Sequence, residues 1–377
     1  MTDHAPGEKV KMTVSERTAQ SLAPALRDWL ASRLGTSEPP VISDVRVPEF
    51  GGLSSTSVLF KAEWTISGKN CSGAYVARMA PEPSAIPVFP RYDLPGQYEL
   101  ITQVARRCQI PLPALRWNEP EGGPLGTPFF VMDQVEGRVP LDNPPYVFGG
   151  WVLDASADER TALQRDSIAV LARLHAIDDP RQAFPWLAPP ARRDSLRAHV
   201  DGQREYYRWA LTDDGIRVPI IERSFDWLEE HWPSRPGADV LSWGDSRIGN
   251  IIYDGFTPAA ILDWEMASIG PREIDVAWFI FLHRFFQDLA EFFEVAGLPD
   301  FLRRSDVESC YTELTGHELA DMDFYLTYAA LRHAIVMSRI KRRMIHFGED
   351  EVPADIDDYV MHRASLDKML DGTYRWD

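Results

Sequence analysis

Two short stretches of this chain carry side chains that could do chemistry together. The first is LSWGDSRIGNIIYDG (241–255), where Asp245 and Asn250 stand five positions apart between apolar residues. The second is AAILDWEMASIG (259–270), where Asp263 follows an apolar run. Asp, Gly and Asn are ordinary turn residues, so neither stretch is decisive alone, and Asp263 by itself reads as a strand-ending aspartate that caps a turn. Combined, they make a set: Asp-x4-Asn, a short strand, a turn, then a strand ending in Asp. Phosphoryl transfer from a nucleotide needs this set. Asp245 orients the attacking hydroxyl and accepts its proton, while Asn250 and Asp263 hold Mg²⁺ against the phosphates. The transition state is loose, so catalysis is mostly positioning and charge stabilisation. Arg247, two residues after Asp245, would aim a fixed positive charge at the moving phosphoryl group.

Those residues need elements to hold them. VLSWGD, NIIYD and AAILDWE read as short β segments bracketing the loop. Upstream, Leu22, Leu26, Trp29, Leu30 and Leu34 follow helical spacing, and Gly35 with Pro39-Pro40 ends that helix. Strand-like runs follow at 41–47, 56–66 and 73–80, with turns at Gly51-Gly52 and at Gly68-Lys69-Asn70, which predicts an antiparallel meander. A helix is expected over 97–107 and two more strands over 112–118 and 128–135. Beyond Gly137 the pattern turns to long helices, at about 157–178, 194–211, 218–231, 275–295, 305–314 and 321–345. The expectation is an α+β chain with a flexible tail over 1–14, a β-rich lobe over 15–136 and a larger helical lobe over 137–377.

The ordered pair WGDSRIGN and ILDWE resembles the HGDxxxxN…IDWE pattern of the aminoglycoside phosphotransferase and choline kinase family, relatives of the protein kinases. The likeness spans roughly residues 40–280 through GGLSSTSVLF, YVAR, FFVMDQVEGR, LARLHAID and GPREIDVAW, and points to the branch that also occurs fused to acyl-CoA dehydrogenases. The resemblance implies a bilobal protein-kinase-like fold. It places Gly52, Leu53, Ser54, Ser55 and Thr56 in the loop covering the nucleotide, where small residues let backbone N–H groups approach phosphate. Arg78 of YVAR falls where related kinases place a phosphate-pairing Lys, a role Arg can fill bidentately. The helix that offers that Lys a Glu carries Gln97 here, on the face of Ile101 and Val104, while Glu99 points elsewhere. Met132 falls behind the adenine, and the Asp133 carbonyl and Val135 N–H face the base edge at the hinge between lobes. Asp275 is implied to brace the catalytic loop. The departure is Trp243, where the family has a His; Trp fills the space but cannot accept a hydrogen bond.

Bulk properties narrow the partners. With 39 basic and 57 acidic residues the net charge is −18, which repels phosphate backbones and argues against nucleic-acid binding. Cys71, Cys108 and Cys310 show no metal or disulfide spacing, as expected in the cytoplasm. The most apolar run, 275–298, is interrupted by His283, Arg284, Asp288 and Glu291, as in a core helix rather than a membrane anchor. The basic run RIKRR (339–343) reads as solvent-facing, and the acidic stretch 348–358 as a solvated loop. The function expected is a Mg²⁺-dependent phosphotransferase that uses ATP or GTP and a hydroxylated small molecule, aminoglycoside-like or a metabolite such as a hydroxyacyl thioester. The alternatives are a nucleotide-binding regulator of pseudokinase type, prompted by Trp243 and Gln97, and a purely structural helical protein.

Overall fold

In the computed structural model, residues 17–36, 38–47, 55–190 and 193–377 are described. The predicted tail at 1–14 and the loop residues Gly52, Leu53 and Ser54 lie outside them. The described residues divide into two compact units, one within 17–102 and 112–136, the other within 103–111 and 137–377.

In the first unit, α1 (Ala19–Leu34) starts at Thr18, whose hydroxyl accepts from the Ser21 N–H in a capping box, and stops at Gly35. Its buried residues Leu22, Leu26, Trp29 and Leu30 are the stripe predicted from spacing. They pack on a five-stranded antiparallel sheet, β1 (Val41–Arg46), β2 (Thr56–Ile66), β3 (Lys69–Met79), β4 (Leu115–Glu119) and β5 (Phe129–Asp133), in the order β1-β2-β3-β5-β4. α2 (Leu94–Arg107) precedes β4. The β2–β3 turn differs from expectation. Ile66 pairs with Lys69, so the turn is Ser67-Gly68, both with positive φ (50° and 75°), and 69–72 extend the strand. A two-residue turn with both residues left-handed matches strand twist. Val58, Phe60, Ala62, Tyr75, Ala77, Met79, Phe129 and Val131 form the core with α1. By alternation, the other face carries Ser57, Arg78, Phe130 and Met132, with Ser57 opposite Arg78 and Arg78 opposite Phe130.

In the second unit come α3 (Ala157–His175), α4 (Pro180–Ala183), α5 (Ser195–Ala210), α6 (Pro219–Glu230), β6 (Asp239–Ser242), β7 (Ile251–Asp254), β8 (Thr257–Ile261), β9 (Ser268–Pro271), α7 (Glu273–Phe292), α8 (Arg304–Thr315), α9 (Met322–His346) and α10 (Arg363–Leu370). β6 pairs with β9, and β7 with β8. β9 and α10 were not expected from the sequence. α7 is buried all round from Glu273 to His283, as a core helix should be, and no helix among the described residues is long and apolar enough to cross a membrane.

One expectation is overturned. The basic run on α9 does not face solvent: Arg339, Arg342 and Arg343 are buried. Arg339 pairs with Asp213 and lies over Trp209, and Arg342 pairs with Asp214 at 3.0 Å. The acidic stretch is also tied down, with Asp350 paired to Lys341, Asp355 to Arg363, and Asp357 accepting from the Ile220 N–H at 2.7 Å. The carboxylates that draw these arginines inward lie far off in sequence.

Candidate active site

β6 delivers the chain to the loop at Trp243, and a turn there requires Gly244. Its φ is 90°, and a Cβ would lie 2.0 Å from the Met266 carbonyl oxygen. Asp275, in the first turn of α7, fastens this turn from below. Its Oδ1 accepts from Ser242 Oγ (2.7 Å) and the Gly244 N–H (2.9 Å), its Oδ2 from the Trp243 N–H (2.7 Å) and His175 Nε2 (3.1 Å). Burial pushes the Asp275 carboxyl up, but the His175, Ser242 and Gly244 bonds outweigh it and hold the group below the usual carboxylate range. His175 Nδ1 meets the Tyr311 hydroxyl at 2.7 Å. A cavity of about 370 Å³ opens beside His175 and Arg272, and Asp245 does not line it.

Asp245 follows Gly244 with its side chain mostly covered. Its Oδ1 accepts from Trp278 Nε1 (2.7 Å), its Oδ2 from Asn250 Nδ2 (2.6 Å), and Arg247 Nε forks across both oxygens (3.1 and 3.2 Å). Together these donors fix the plane of the carboxylate. Asn250 Nδ2 also donates to the Asp245 carbonyl (3.0 Å). These two acceptors set the orientation of the amide and turn its Oδ1 away from Asp245. The Asn250 carbonyl accepts from the Leu262 N–H (2.9 Å), which brings the residue preceding Asp263 against the Asn250 backbone. Asp263 itself is left-handed, with φ 59°, a conformation that turns the chain at the end of β8. Asn250 Oδ1 and the Asp263 carboxylate are hard oxygen donors, a pair that suits Mg²⁺ shared with water and phosphate. Among the described residues no cluster of three or more His, Cys, Asp or Glu offers a metal an all-protein cage.

Arg247 is held by Asp142 as well as by Asp245. Burial opposes its charge, but the two carboxylates outweigh this and raise its pKa. Asp142 is placed by the segment after Gly137, where Arg138 and Tyr253 exchange backbone bonds of 2.9 and 2.8 Å. The close approach needs glycine: φ is 146°, and a Cβ at 137 would meet the Tyr253 oxygen at 2.6 Å. Trp243 is fully buried and donates from Nε1 to the carbonyls of Leu262 (2.9 Å) and Asp263 (3.2 Å). The indole therefore ties the Asp245 loop to the Asp263 turn by donating, so its inability to accept costs nothing here.

Of the residues assigned to the nucleotide, Ser55 is buried and Thr56 opens β2. Arg78 and Met132 share the sheet face opposite α1. Gln97 is buried with Ile101 and Val104, and Glu99 is exposed. The Asp133 side chain pairs bidentately with Arg116 at 2.6 Å, leaving only its backbone for a base, and the Val135 N–H has no partner among the described residues.

A family model described as the phosphotransferase enzyme family matches residues 69–305, more than half of the chain. The chain belongs to that family. The probable acyl-CoA dehydrogenase IBR3 of Arabidopsis thaliana is 23% identical to this chain over 319 residues, covering 80% of the chain but only 37% of that protein. A structure from Ralstonia eutropha JMP134, assigned to the aminoglycoside phosphotransferases, superposes with a TM-score of 0.60 at 19% identity, over 92% of this chain and 96% of the other. The aminoglycoside phosphotransferase APH(4)-Ia, in a ternary complex with AMP-PNP and hygromycin B, gives 0.54 at 16% identity, over 92% and 98%. These likenesses give the chain the kinase-like fold, with an antiparallel sheet followed by a helical remainder. Sequence reasoning missed Trp278 and Asp142. Trp278 lies inside GPREIDVAW, the signal that could have found it; Asp142 carries no local signal.

Proposed function

We propose that this chain transfers the γ-phosphoryl group of ATP or GTP to a hydroxyl of a small molecule, with Mg²⁺, in the cytoplasm. The observation that supports this most is the Asp245 carboxylate, whose orientation is fixed by Trp278, Asn250 and a forked bond from Arg247 Nε, the longest and most readily yielded of these contacts. Asp245 takes the proton of the attacking hydroxyl as the new P–O bond forms and the bond from the γ-phosphorus to the bridging oxygen breaks, which releases ADP or GDP. Asn250 Oδ1 and Asp263 would hold Mg²⁺, which supplies positive charge to the phosphate oxygens. Arg247 holds Asp245 in plane through Nε, and its Nη2, which has no partner among the described residues, meets a phosphoryl oxygen. The loop at 52–56 and Arg78 serve the phosphates; Met132, the Asp133 carbonyl and the Val135 N–H serve the base. The domain division expected from sequence, 15–136 for nucleotide and 137–377 for catalysis and acceptor, belongs to the same proposal.

Two acceptor classes are favoured by different relatives. Likeness to a structure that holds hygromycin B, together with the net charge of −18, favours a cationic aminoglycoside. Likeness to proteins named as acyl-CoA dehydrogenases favours a hydroxyacyl thioester. Calorimetric titration with ATP and GTP, with and without Mg²⁺, on wild type and Asp263→Ala tests the nucleotide half. Mg²⁺-dependent binding that is lost in the variant is expected, and absence of binding by either nucleotide overturns the proposal. Turnover with both acceptor classes then tests Asp245→Asn, expected to slow the reaction about 10²–10⁴-fold with nucleotide affinity nearly intact. Nucleotide binding without transfer to any hydroxylated acceptor would instead favour the regulatory alternative.

A further inference from the structure

Arg332 on α9 lies beyond the residues that the family model matches, and its burial calls for an explanation. The side chain is 1% exposed and forms no ion pair with any described carboxylate. Nη2 donates to the Gly244 carbonyl at 2.8 Å, while Nε and Nη1 are buried without a partner among the described residues. A buried cation left this short of acceptors is costly, and an apolar side chain of similar volume would pack there at less expense. What the guanidinium does have is a ring: its carbon sits 4.4 Å from the centroid of Trp278, the residue whose indole N–H donates to Asp245 Oδ1. The next residue, His333, touches the same indole edge-on at 6.2 Å between centroids. Arg332 therefore grips the Asp245 loop at both neighbours of the carboxylate, the peptide just before it and the indole that donates to it.

The geometry points to Arg332 as a positioning residue, which fixes the Gly244 carbonyl and the Trp278 indole relative to each other and through them orients the Asp245 carboxylate. A hydrophobic residue would fill the space but could neither bond the carbonyl nor attract the ring face. Burial opposes the Arg332 charge, and Tyr328, Asp275 and Asp245 favour it. The catalytic consequence rests on the reading of Asp245 as the base; the structural consequence does not.

The two are separated by reading the indole directly. The Trp278 N–H resonance is identified among the twelve tryptophans by its loss in Trp278→Phe, and Asp245→Asn gives its position when the carboxylate acceptor is gone. In Arg332→Met, with the melting transition retained, the resonance is expected to move toward the Asp245→Asn position. Arg332→Lys keeps the charge and one donor, and the resonance should lie between wild type and Met. If wild type turns over an acceptor, Arg332→Met should lower kcat about 10–100-fold with nucleotide KM within about twofold, the signature of a displaced reacting group. A Trp278 resonance unchanged in Arg332→Met overturns the proposal. Should the Met variant not fold, the Lys variant decides: a shifted resonance supports the proposal and an unshifted one overturns it. A protein without turnover would sink the functional reading and leave the resonance test standing.

Discussion

Replacing Asp275 by Asn tests how the loop is held. The carboxylate accepts from Ser242 and Gly244 through Oδ1 and from Trp243 and His175 through Oδ2. Asn can keep its oxygen on the first pair, which sets its amide nitrogen against the second. His175 can adapt by changing tautomer, because its other nitrogen faces the Tyr311 hydroxyl, which can accept as well as donate. The Trp243 N–H cannot adapt, and it is left buried against another donor. One orphaned N–H and the lost charge on the remaining bonds amount to about 3 kcal/mol, roughly a hundredfold in local opening. Amide hydrogen exchange at Trp243 and Gly244 reads this directly, and exchange about a hundredfold faster than wild type is expected. Acid adds a sign. The folded Asp275 pKa is depressed, so its contribution is present above the ordinary aspartate value and is lost as pH falls through the lower folded value. The Asn variant should lose that part of the acid dependence. Exchange at both amides within about threefold of wild type would refute the account, since no other described group can take over the Trp243 bond.

Other perturbations follow from the same geometry. Gly244→Ala places a methyl against the Met266 carbonyl at a φ of 90° and should destabilise by about 3 kcal/mol or more; an unchanged denaturation midpoint would show that the turn can relax. Arg342→Met leaves the Ile216 carbonyl without its donor and removes the pair to exposed Asp214, and should cost about 1–2 kcal/mol in chemical denaturation, whereas a solvent-facing arginine would cost within about 0.5. His199 is held down to about 3 by burial first and then by Arg332, so it stays neutral in the folded chain. Its contribution is fully present above about 6.5 and is lost between there and about 3 as the unfolded chain takes up the proton. His199→Gln should flatten the pH dependence of stability across that window, and an unaltered slope would count against it.

The helices and strands were legible because each buries one face, and burial of a face writes a period into the sequence. Leu22, Leu26, Trp29 and Leu30 give α1 from spacing alone, and alternation gives β2 to the residue. The β2–β3 turn was misplaced because Asn70 is as good a turn residue as Ser67, and only strand pairing decides between them. Charge was read least well. Arg339 and Arg342 are ordinary surface residues by composition, and what buries them is Asp213 and Asp214, more than a hundred positions away. The same limit applies to the site: Asp245, Asn250 and Asp263 stand in recognisable order, while Asp142 is 105 residues from Arg247, and Arg332 is 88 from Gly244.

Trp243 shows how such long-range information changes the meaning of a residue already noticed. From sequence the Trp is a changed support, which fills the space and offers one N–H but, unlike a His, cannot accept a hydrogen bond. The atoms it meets are the Leu262 and Asp263 carbonyls, and both of them need a donor. An indole N–H meets that need without a choice of tautomer, and its larger ring packs against Trp264 with centroids 6.0 Å apart. A departure from a family pattern is thus a deficit only with respect to particular partner atoms. Here the partners ask for the one polar group that the substituted residue retains.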